Sequence, residues 1–282
     1  MKIDRIGKYS VVSQLGAGAH STILHISRDE DGRSYALKVV PINEPEDQKF
    51  LEQAEHEFRV GQMLDHPNLI KVHALERKTN WLFKVKKVLL LIEYVNGETL
   101  DNAKMLAVEK LAPVFVQVAS GLVHMHRRGV LHADMKPGNI MVARKTRKAK
   151  IIDYGLAWVK GESKGRIQGT PGYIAPETIS NNLVTEKTDI FNFGATMYRM
   201  VTFQQPPSLL PVPGSARLDA KVYAQMLKPV SKFNAAAPSD LCEVIHRCLE
   251  FNPDQRPERM SEIQGALDKI ADRLGPPADD DE

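Results

Sequence analysis

In the stretch LHADMKPGNIMV, residues 131–142, an acid, a lysine and an amide fall at Asp134, Lys136 and Asn139, and a second acid follows at Asp153 in KIIDYGLAW. A carboxylate can accept a hydroxyl proton, and a lysine can hold a phosphate in transfer. An amide and a carboxylate can bind a hard cation through oxygen. Together these groups form a set suited to phosphoryl transfer. The odd residue is Ala133, a small neutral side chain between His132 and Asp134.

Two further features belong to the same chemistry. LGAGAHSTI, residues 15–23, is a glycine-rich turn whose backbone can approach a phosphate closely, with Ser21 where a third glycine would strengthen the signal. Such turns also close hairpins that bind nothing. Lys38 lies in YALKVV, where strand alternation puts Ala36 and Lys38 on one face and Leu37 and Val39 on the other. A lysine among apolar neighbours needs an acceptor, and Glu57 in the following segment is a candidate.

The elements that must position these groups can be read from periodicity. Residues 9–15, 21–28 and RSYALKVV form a three-strand antiparallel meander around the glycine-rich turn and DEDG. Residues 47–64 follow a helical pattern that stops at DHPN, where Pro67 forbids continuation. LIKVHALE and VLLLIEYV read as strands, and NGETLDN as a turn and connector. Leu111, Val114, Phe115, Val118, Leu122 and Met125 then recur at helical spacing up to Gly129. The expectation is an α+β chain, with a small antiparallel sheet and one helix first and a larger, mainly helical part after it.

Composition sets the frame. Hydrophobic residues make up 43% and charged residues 26% of 282, with a net charge of +3, an ordinary globular balance that does not point to nucleic acid. Cys242 and Cys248 sit on poorly matched faces of one helical stretch and read as thiols, in keeping with a reducing cytoplasm. No signal-peptide core and no uncharged membrane-length window occurs, so no membrane segment is expected. GPPADDDE, residues 275–282, reads as a solvated acidic, disordered tail. The basic stretches RKTNWLFKVKK and RKTRKAK read as solvated hairpins, His124 and His126 as packing or surface residues, and QQPPSLLPVPG as an irregular connector.

Taken in order, the glycine loop, Lys38, Glu57, His132-Ala133-Asp134, Asp153-Tyr154-Gly155 and Ala175-Pro176-Glu177 resemble the eukaryotic-type Ser/Thr protein kinases that bacteria also carry. The resemblance covers about residues 9–272. It implies a bilobal fold, with an N-lobe over 1–92, a connector over 93–99 and a C-lobe over 100–274. It implies ATP and magnesium, with manganese as an alternative, and a protein substrate phosphorylated on Ser or Thr, autophosphorylation included.

Roles follow from the resemblance position by position. Lys38 would hold the α- and β-phosphates and pair with Glu57, which stands nine residues before His66. Asp134 would orient the substrate hydroxyl and accept its proton. Lys136 would steady the γ-phosphate, and Asn139 and Asp153 would hold the metal. Leu15, Gly16, Ala17 and Gly18 would cover the nucleotide, and Ile23, Ala36 and Met141 would sandwich the adenine. Ile92 would guard the back of the pocket, with the backbone of Glu93 and Val95 as its polar partners. Thr170 would shape the substrate shelf, Glu177 would pair with Arg256, and Asp189 would brace the catalytic loop.

Departures from the family pattern matter too. Ala133 replaces an arginine that grips a phosphate on the activation loop in most regulated members. Gly61 stands where an apolar side chain usually packs against the residue at Tyr154, so a less firmly held helix is expected. Gly138 replaces an acid that selects basic peptides, so no strong demand for arginine ahead of the target is expected. Phe191 and Asn192 stand near the place of a common tryptophan. Two rival readings compete: a small-molecule phosphotransferase of the aminoglycoside-kinase type, which also has a small residue in its His-x-Asp loop, and an ATP-binding pseudokinase scaffold.

Overall fold

The computed structural model describes residues 5–18, 20–102, 106–162, 169–210 and 219–275. Ala19, Ser163, the proline-rich run from 211 to 218 and the acidic tail expected from 275 onward, Gly275 excepted, lie outside them. The chain divides into two compact units. One comprises residues 1–96 with Asp153–Gly155, the other residues 97–152 and 156–282.

The first unit is a six-stranded antiparallel sheet with one α-helix. The strands are β1 (Arg5–Ile6), β2 (Tyr9–Ala17), β3 (Thr22–Arg28), β4 (Ser34–Pro41), β5 (Val72–Thr79) and β6 (Val85–Glu93), in spatial order β1-β2-β3-β4-β6-β5. Helix α1 (Gln48–Met63) enters between β4 and β5. Strand alternation sorts the side chains as the sequence predicts. Tyr35 and Leu37 join Tyr9, Leu24, Ile26, Leu89 and Leu91 in one apolar cluster, with Val39 packed against it. On the opposite face Val40 packs with Leu51 and Ala54 of α1 and with Val88. Lys38 shares that second face, which turns it toward α1. Burying each of these large side chains contributes about 1.5–3 kcal/mol, enough to fix α1 against the sheet.

The second unit is mainly helical. It contains β7 (Gly97–Thr99), α2 (Val108–Arg127), β8 (Val130–Leu131), β9 (Ile140–Ala143), β10 (Ala149–Ile151), β11 (Trp158–Val159), α3 (Pro176–Asn181), α4 (Glu186–Thr202), α5 (Ala220–Met226), α6 (Val230–Phe233), α7 (Ser239–Cys248) and α8 (Met260–Leu274). The apolar stripe of α2 is buried as its spacing requires, with Leu111, Phe115, Val118, Leu122 and Met125 all fully covered. Phe115 meets Phe193 of α4 edge to face at 6.2 Å between centroids. Helix α4 is buried on nearly every side, and its start is fixed by a capping box between Thr185 and Thr188.

One connector is more ordered than its sequence suggests. NGETLDN contains β7, which pairs antiparallel with β9. The reason is Gly97: a Cβ there would stand 2.2 Å from the Val142 carbonyl oxygen, so only glycine lets the strands approach this closely. Cys242 and Cys248 are both free thiols, and burial pushes Cys248 up to about 12. Among the described residues no helix is long and apolar enough to cross a membrane.

Candidate active site

In the first unit, Lys38 on β4 donates to Glu57 on α1 at 2.7 Å. Both are largely covered, Glu57 leaving only 3% of its surface exposed. Burial alone would pull the Lys38 ammonium toward neutrality, but the negative charges of Glu57 and Asp153 outweigh it and raise the net affinity for the proton. Glu57 is itself shifted upward by burial, against the pull of Lys38. Lys38 and Asp153 line a cavity of about 210 Å³ with His20, Ser21, Gln53 and neighbouring apolar side chains. His20 stacks on Phe50 of α1 at 3.8 Å, tying the glycine-rich turn to the helix.

The two glycines of that turn differ in their surroundings, a Cβ on Gly18 standing 3.1 Å from the Ser21 hydroxyl. A Cβ on Gly16 would meet nothing within 4 Å, and neither Gly16 nor Gly18 has a positive φ. The turn closes through Gly18 N–H donating to the Ser21 carbonyl at 2.8 Å. Leu15 and Ala17 are exposed. Ile23 pairs with Lys38 and Ala36 with Ile92 across β3, β4 and β6. Glu93 N–H bonds the Lys71 carbonyl at 2.8 Å, while the neighbouring Tyr94 stacks on His25 at 4.0 Å. Val95 follows in the short segment before β7.

Gly61 lies against Val72 of β5. A Cβ on Gly61 would lie 2.6 Å from a Val72 methyl, so the side chain of Val72 occupies the place that a residue at 61 would fill. The fully buried Tyr154 adds a bond that phenylalanine could not make, its hydroxyl donating to the Ile70 carbonyl at 2.9 Å. Asp153 adopts a left-handed φ of 69°, and its carboxylate accepts from the Gly155 N–H at 2.9 Å.

In the second unit the loop after β8 is shaped around Asp189 of α4. One carboxylate oxygen accepts from Ala133 N–H at 2.7 Å; the other accepts from His132 N–H at 2.9 Å and bonds His126 Nε2 at 2.7 Å. Burial works against the Asp189 charge, but the His126 bond and charge and the loop amides hold its carboxyl below the usual range. Ala133 takes a φ of 64°, a conformation that costs a non-glycine residue about 1–2 kcal/mol, and the two amide bonds to Asp189 hold it there. Its methyl packs against Leu131 and Val184, with Trp158 alongside.

The Asp134 carboxylate is engaged at both oxygens. Oδ1 accepts from Thr170 N–H at 2.9 Å and from its hydroxyl at 2.8 Å, and Oδ2 accepts from Lys136 Nζ at 2.9 Å. Lys136 also donates to the Thr170 hydroxyl at 2.7 Å, which closes a triangle of acid, lysine and hydroxyl. Asn139 donates its amide to the Asp134 carbonyl at 2.7 Å, and that bond leaves the carboxamide oxygen as the group available to a cation. Met141, two residues on, lies in β9 opposite Thr99.

Glu177 and Arg256 form a bidentate pair, both contacts at 2.9 Å, with Thr188 donating to the same carboxylate at 3.0 Å. The Arg256 guanidinium also lies over the Phe191 ring at 4.8 Å, and Asn192 donates to the Tyr173 carbonyl at 2.5 Å. The residues in place of the common tryptophan therefore anchor the segment that carries Thr170.

Two contributors escaped the sequence reading. His126 packs in the interior as expected, and its bond to Asp189 is what only knowledge of which helix lies opposite could have shown. Asp101 is the other. Its carboxylate stands 3.0 Å from where a Cβ on Gly138 would be, and both residues line a cleft of about 350 Å³ with Lys136, Thr170 and Tyr173. A carboxylate from a different element thus stands beside Gly138.

Residues 9–266 match the protein kinase domain family. Among curated proteins the chain is similar to CBL-interacting protein kinase 8 of Oryza sativa, 28% identical over 93% of this chain and 57% of that one. It is similar to Serine/threonine-protein kinase PrkC of Bacillus subtilis at 24% over 95% of this chain and 41% of the relative. Serine/threonine-protein kinase PknJ of Mycobacterium bovis is 29% identical over 81% and 43% respectively. The chain spans about half the length of the curated relatives it matches. With a match over nearly its whole length, and with the sheet unit and helical unit that its sequence leads one to expect, the chain belongs to the protein kinase domain family.

Proposed function

We propose that the chain transfers the γ-phosphoryl group of ATP to serine and threonine hydroxyls of proteins, itself included. The observation that carries this reading is the triangle of Asp134, Lys136 and Thr170. A carboxylate held by two donors from Thr170 is aimed rather than free, and it is positioned to orient an incoming hydroxyl and take its proton. Lys136, bonded to the same carboxylate, is the cation beside which the transferred phosphate would sit. Thr170 marks the substrate side, which favours Ser and Thr over Tyr.

Lys38, fixed by Glu57, would hold the α- and β-phosphates, and the open space above Gly16 leaves room for the backbone of residues 15–18 to approach them. Ile23, Ala36, Ile92, Met141 and the backbone of Glu93 and Val95 would receive the adenine by apolar contact and main-chain bonds. The donor chemistry fits a hard cation: Asp153 offers a carboxylate and Asn139 a carboxamide oxygen. Asn139 and Asp153 would be the residues that hold magnesium. When bound, it neutralises charge on the β- and γ-phosphate oxygens. The lobe boundaries at 92 and 99 and a cytoplasmic setting belong to this reading as well.

Ala133 bears on control. Its methyl sits in an apolar cluster and offers no cation to an activation-loop phosphate, and on this reading the unphosphorylated chain is competent. Asp101 in the substrate cleft favours a cation in the bound peptide, contrary to the expectation from Gly138 alone. The small-molecule and pseudokinase readings fare less well. The Glu177–Arg256 pair builds a peptide shelf that the former does not need, and none of the groups the latter would lack is missing.

Radiolabelled ATP supplied with a generic Ser/Thr protein substrate, with an aminoglycoside, and with the chain alone separates the three. Label in protein hydroxyls, abolished by chelating magnesium, is the expected result. Label in the aminoglycoside, or none anywhere, would overturn the proposal.

A further inference from the structure

At the turn between β5 and β6 three consecutive apolar side chains face water: Trp81 is 83% exposed, Leu82 51% and Phe83 87%. Single exposed apolar residues are ordinary, but three in a row form a patch. The turn that displays them is built. The Asn80 side-chain oxygen accepts from the N–H groups of Leu82 and Lys84 at 3.0 Å each, and Phe83 N–H bonds the Asn80 carbonyl at 3.0 Å. Phe83 takes a φ of 59°, which a bulky aromatic adopts only when its surroundings hold it there.

The strands behind the tip carry charge of one sign. Residues 77–87 contain Arg77, Lys78, Lys84, Lys86 and Lys87 and no acid. Arg77 is engaged by Glu55 and Lys78 by Glu76. Lys84, Lys86 and Lys87 are exposed and form no ion pair among the described residues. Lys78 and Lys87 are cross-strand partners, and Glu76 compensates Lys78 but no ion pair compensates Lys87 among the described residues.

The shape and chemistry choose among anionic partners. A convex apolar tip needs a partner that closes around it, which a fluid interface does without a prepared pocket. Base stacking would use rings on an open face, and Leu82 at the centre of the tip has none. The free cations are all lysines, point charges without the fork that reads a fixed phosphate geometry. At about 3.4 Å per residue they trail the tip by the depth that separates acyl chains from headgroups. We propose that the β5–β6 hairpin docks on an anionic lipid bilayer, entered by Trp81, Leu82 and Phe83 and held by Lys84, Lys86 and Lys87. The sequence reading of this stretch as a solvated hairpin accounts for its lysines but not for its tip. The proposal stands independently of the phosphoryl-transfer reading.

The test uses the whole chain with vesicles of phosphatidylcholine alone or mixed with phosphatidylglycerol. Cosedimentation is expected with the mixed vesicles and not with the neutral ones. In a Trp158→Phe background, which leaves Trp81 as the sole indole of the two in the chain, its emission should shift to the blue on binding. Replacing Trp81, Leu82 and Phe83 by serine should weaken binding at least tenfold. Replacing Lys84, Lys86 and Lys87 by glutamine should weaken it by about a hundredfold, the scale of three cations at an anionic surface. All six side chains are exposed, so melting temperature and phosphoryl transfer should not change in either variant. If Trp158→Phe fails to fold, sedimentation of the unaltered chain and the two hairpin variants decides alone. Equal binding by the triple serine variant, no binding to anionic vesicles, or a preference for a single-stranded oligonucleotide would overturn the proposal.

Discussion

The candidate groups of the two units are held by opposite means. Lys38 and Glu57 are a pair of charges taken out of water, where each is the other's main compensation. Asp134 keeps its place through several donors at once, two from Thr170, one from Lys136, with its own carbonyl bonded to Asn139. The first arrangement should fail when one member is removed, whereas the second should keep its geometry on the loss of one donor and lose rate instead.

The sharpest way to break this contrast is Lys38→Met. It should reduce transfer about a hundredfold or more, since misplaced phosphates forfeit orientation, and destabilise the chain by roughly 3 kcal/mol near neutral pH. The sign of the pH dependence is fixed by Glu57. Burial raises its folded affinity for a proton above the unfolded value, and without Lys38 nothing opposes that shift. The folded variant then binds more protons than the unfolded chain, so its stability falls as pH rises above the ordinary glutamate range and recovers on acidification. Chemical denaturation of the variant and the parent across pH checks this, and a pH-independent difference would contradict it.

Thr170→Ala removes the hydroxyl bonds to Asp134 and Lys136 but keeps the backbone N–H. Hydrogen bonds to charged groups contribute about 1.5–3 kcal/mol, so turnover should fall about ten- to a hundredfold with little change in melting temperature. Steady-state rates beside a thermal melt distinguish this from unfolding. A smaller effect is expected at Gly61→Ala, where the added methyl meets Val72 and overpacking costs about 1–3 kcal/mol. That loss should appear mainly as stability, measured by denaturant titration, and an unaffected midpoint would mean that Val72 moves aside freely. The smallest effect is expected from Ser163→Ala. With an apolar pocket at Ala133 in place of a phosphate-binding arginine, most activity should remain in the fully dephosphorylated variant, its state verified by mass spectrometry. A hundredfold activation on loop phosphorylation would show another cation in that role.

Much of this was legible in the sequence because the chemistry depends on residue type at short range. Asp134, Lys136 and Asn139 lie within six residues, and the faces of Lys38 and Leu37 follow from strand alternation. What stayed hidden depends on which elements meet. The His126–Asp189 bond joins residues 63 apart, and Tyr154 reaches Ile70 across 84. Gly61 and Gly138 read as missing parts in one dimension, yet in space Val72 and Asp101 stand where their side chains would be. β7 was read as a plain connector because three residues around a glycine carry no strand signal until their partner β9 is known.

The most direct test of the central claim is Asp134→Asn. The amide keeps the size of the carboxylate and several of its bonds but cannot take a proton. Steady-state transfer of phosphate from ATP to a Ser/Thr substrate should fall by about 10² to 10⁴, while nucleotide affinity and melting temperature stay close to those of the parent. A variant that kept half of the parental rate would contradict the assignment of Asp134, and with it the account of this site as the place where the hydroxyl is phosphorylated.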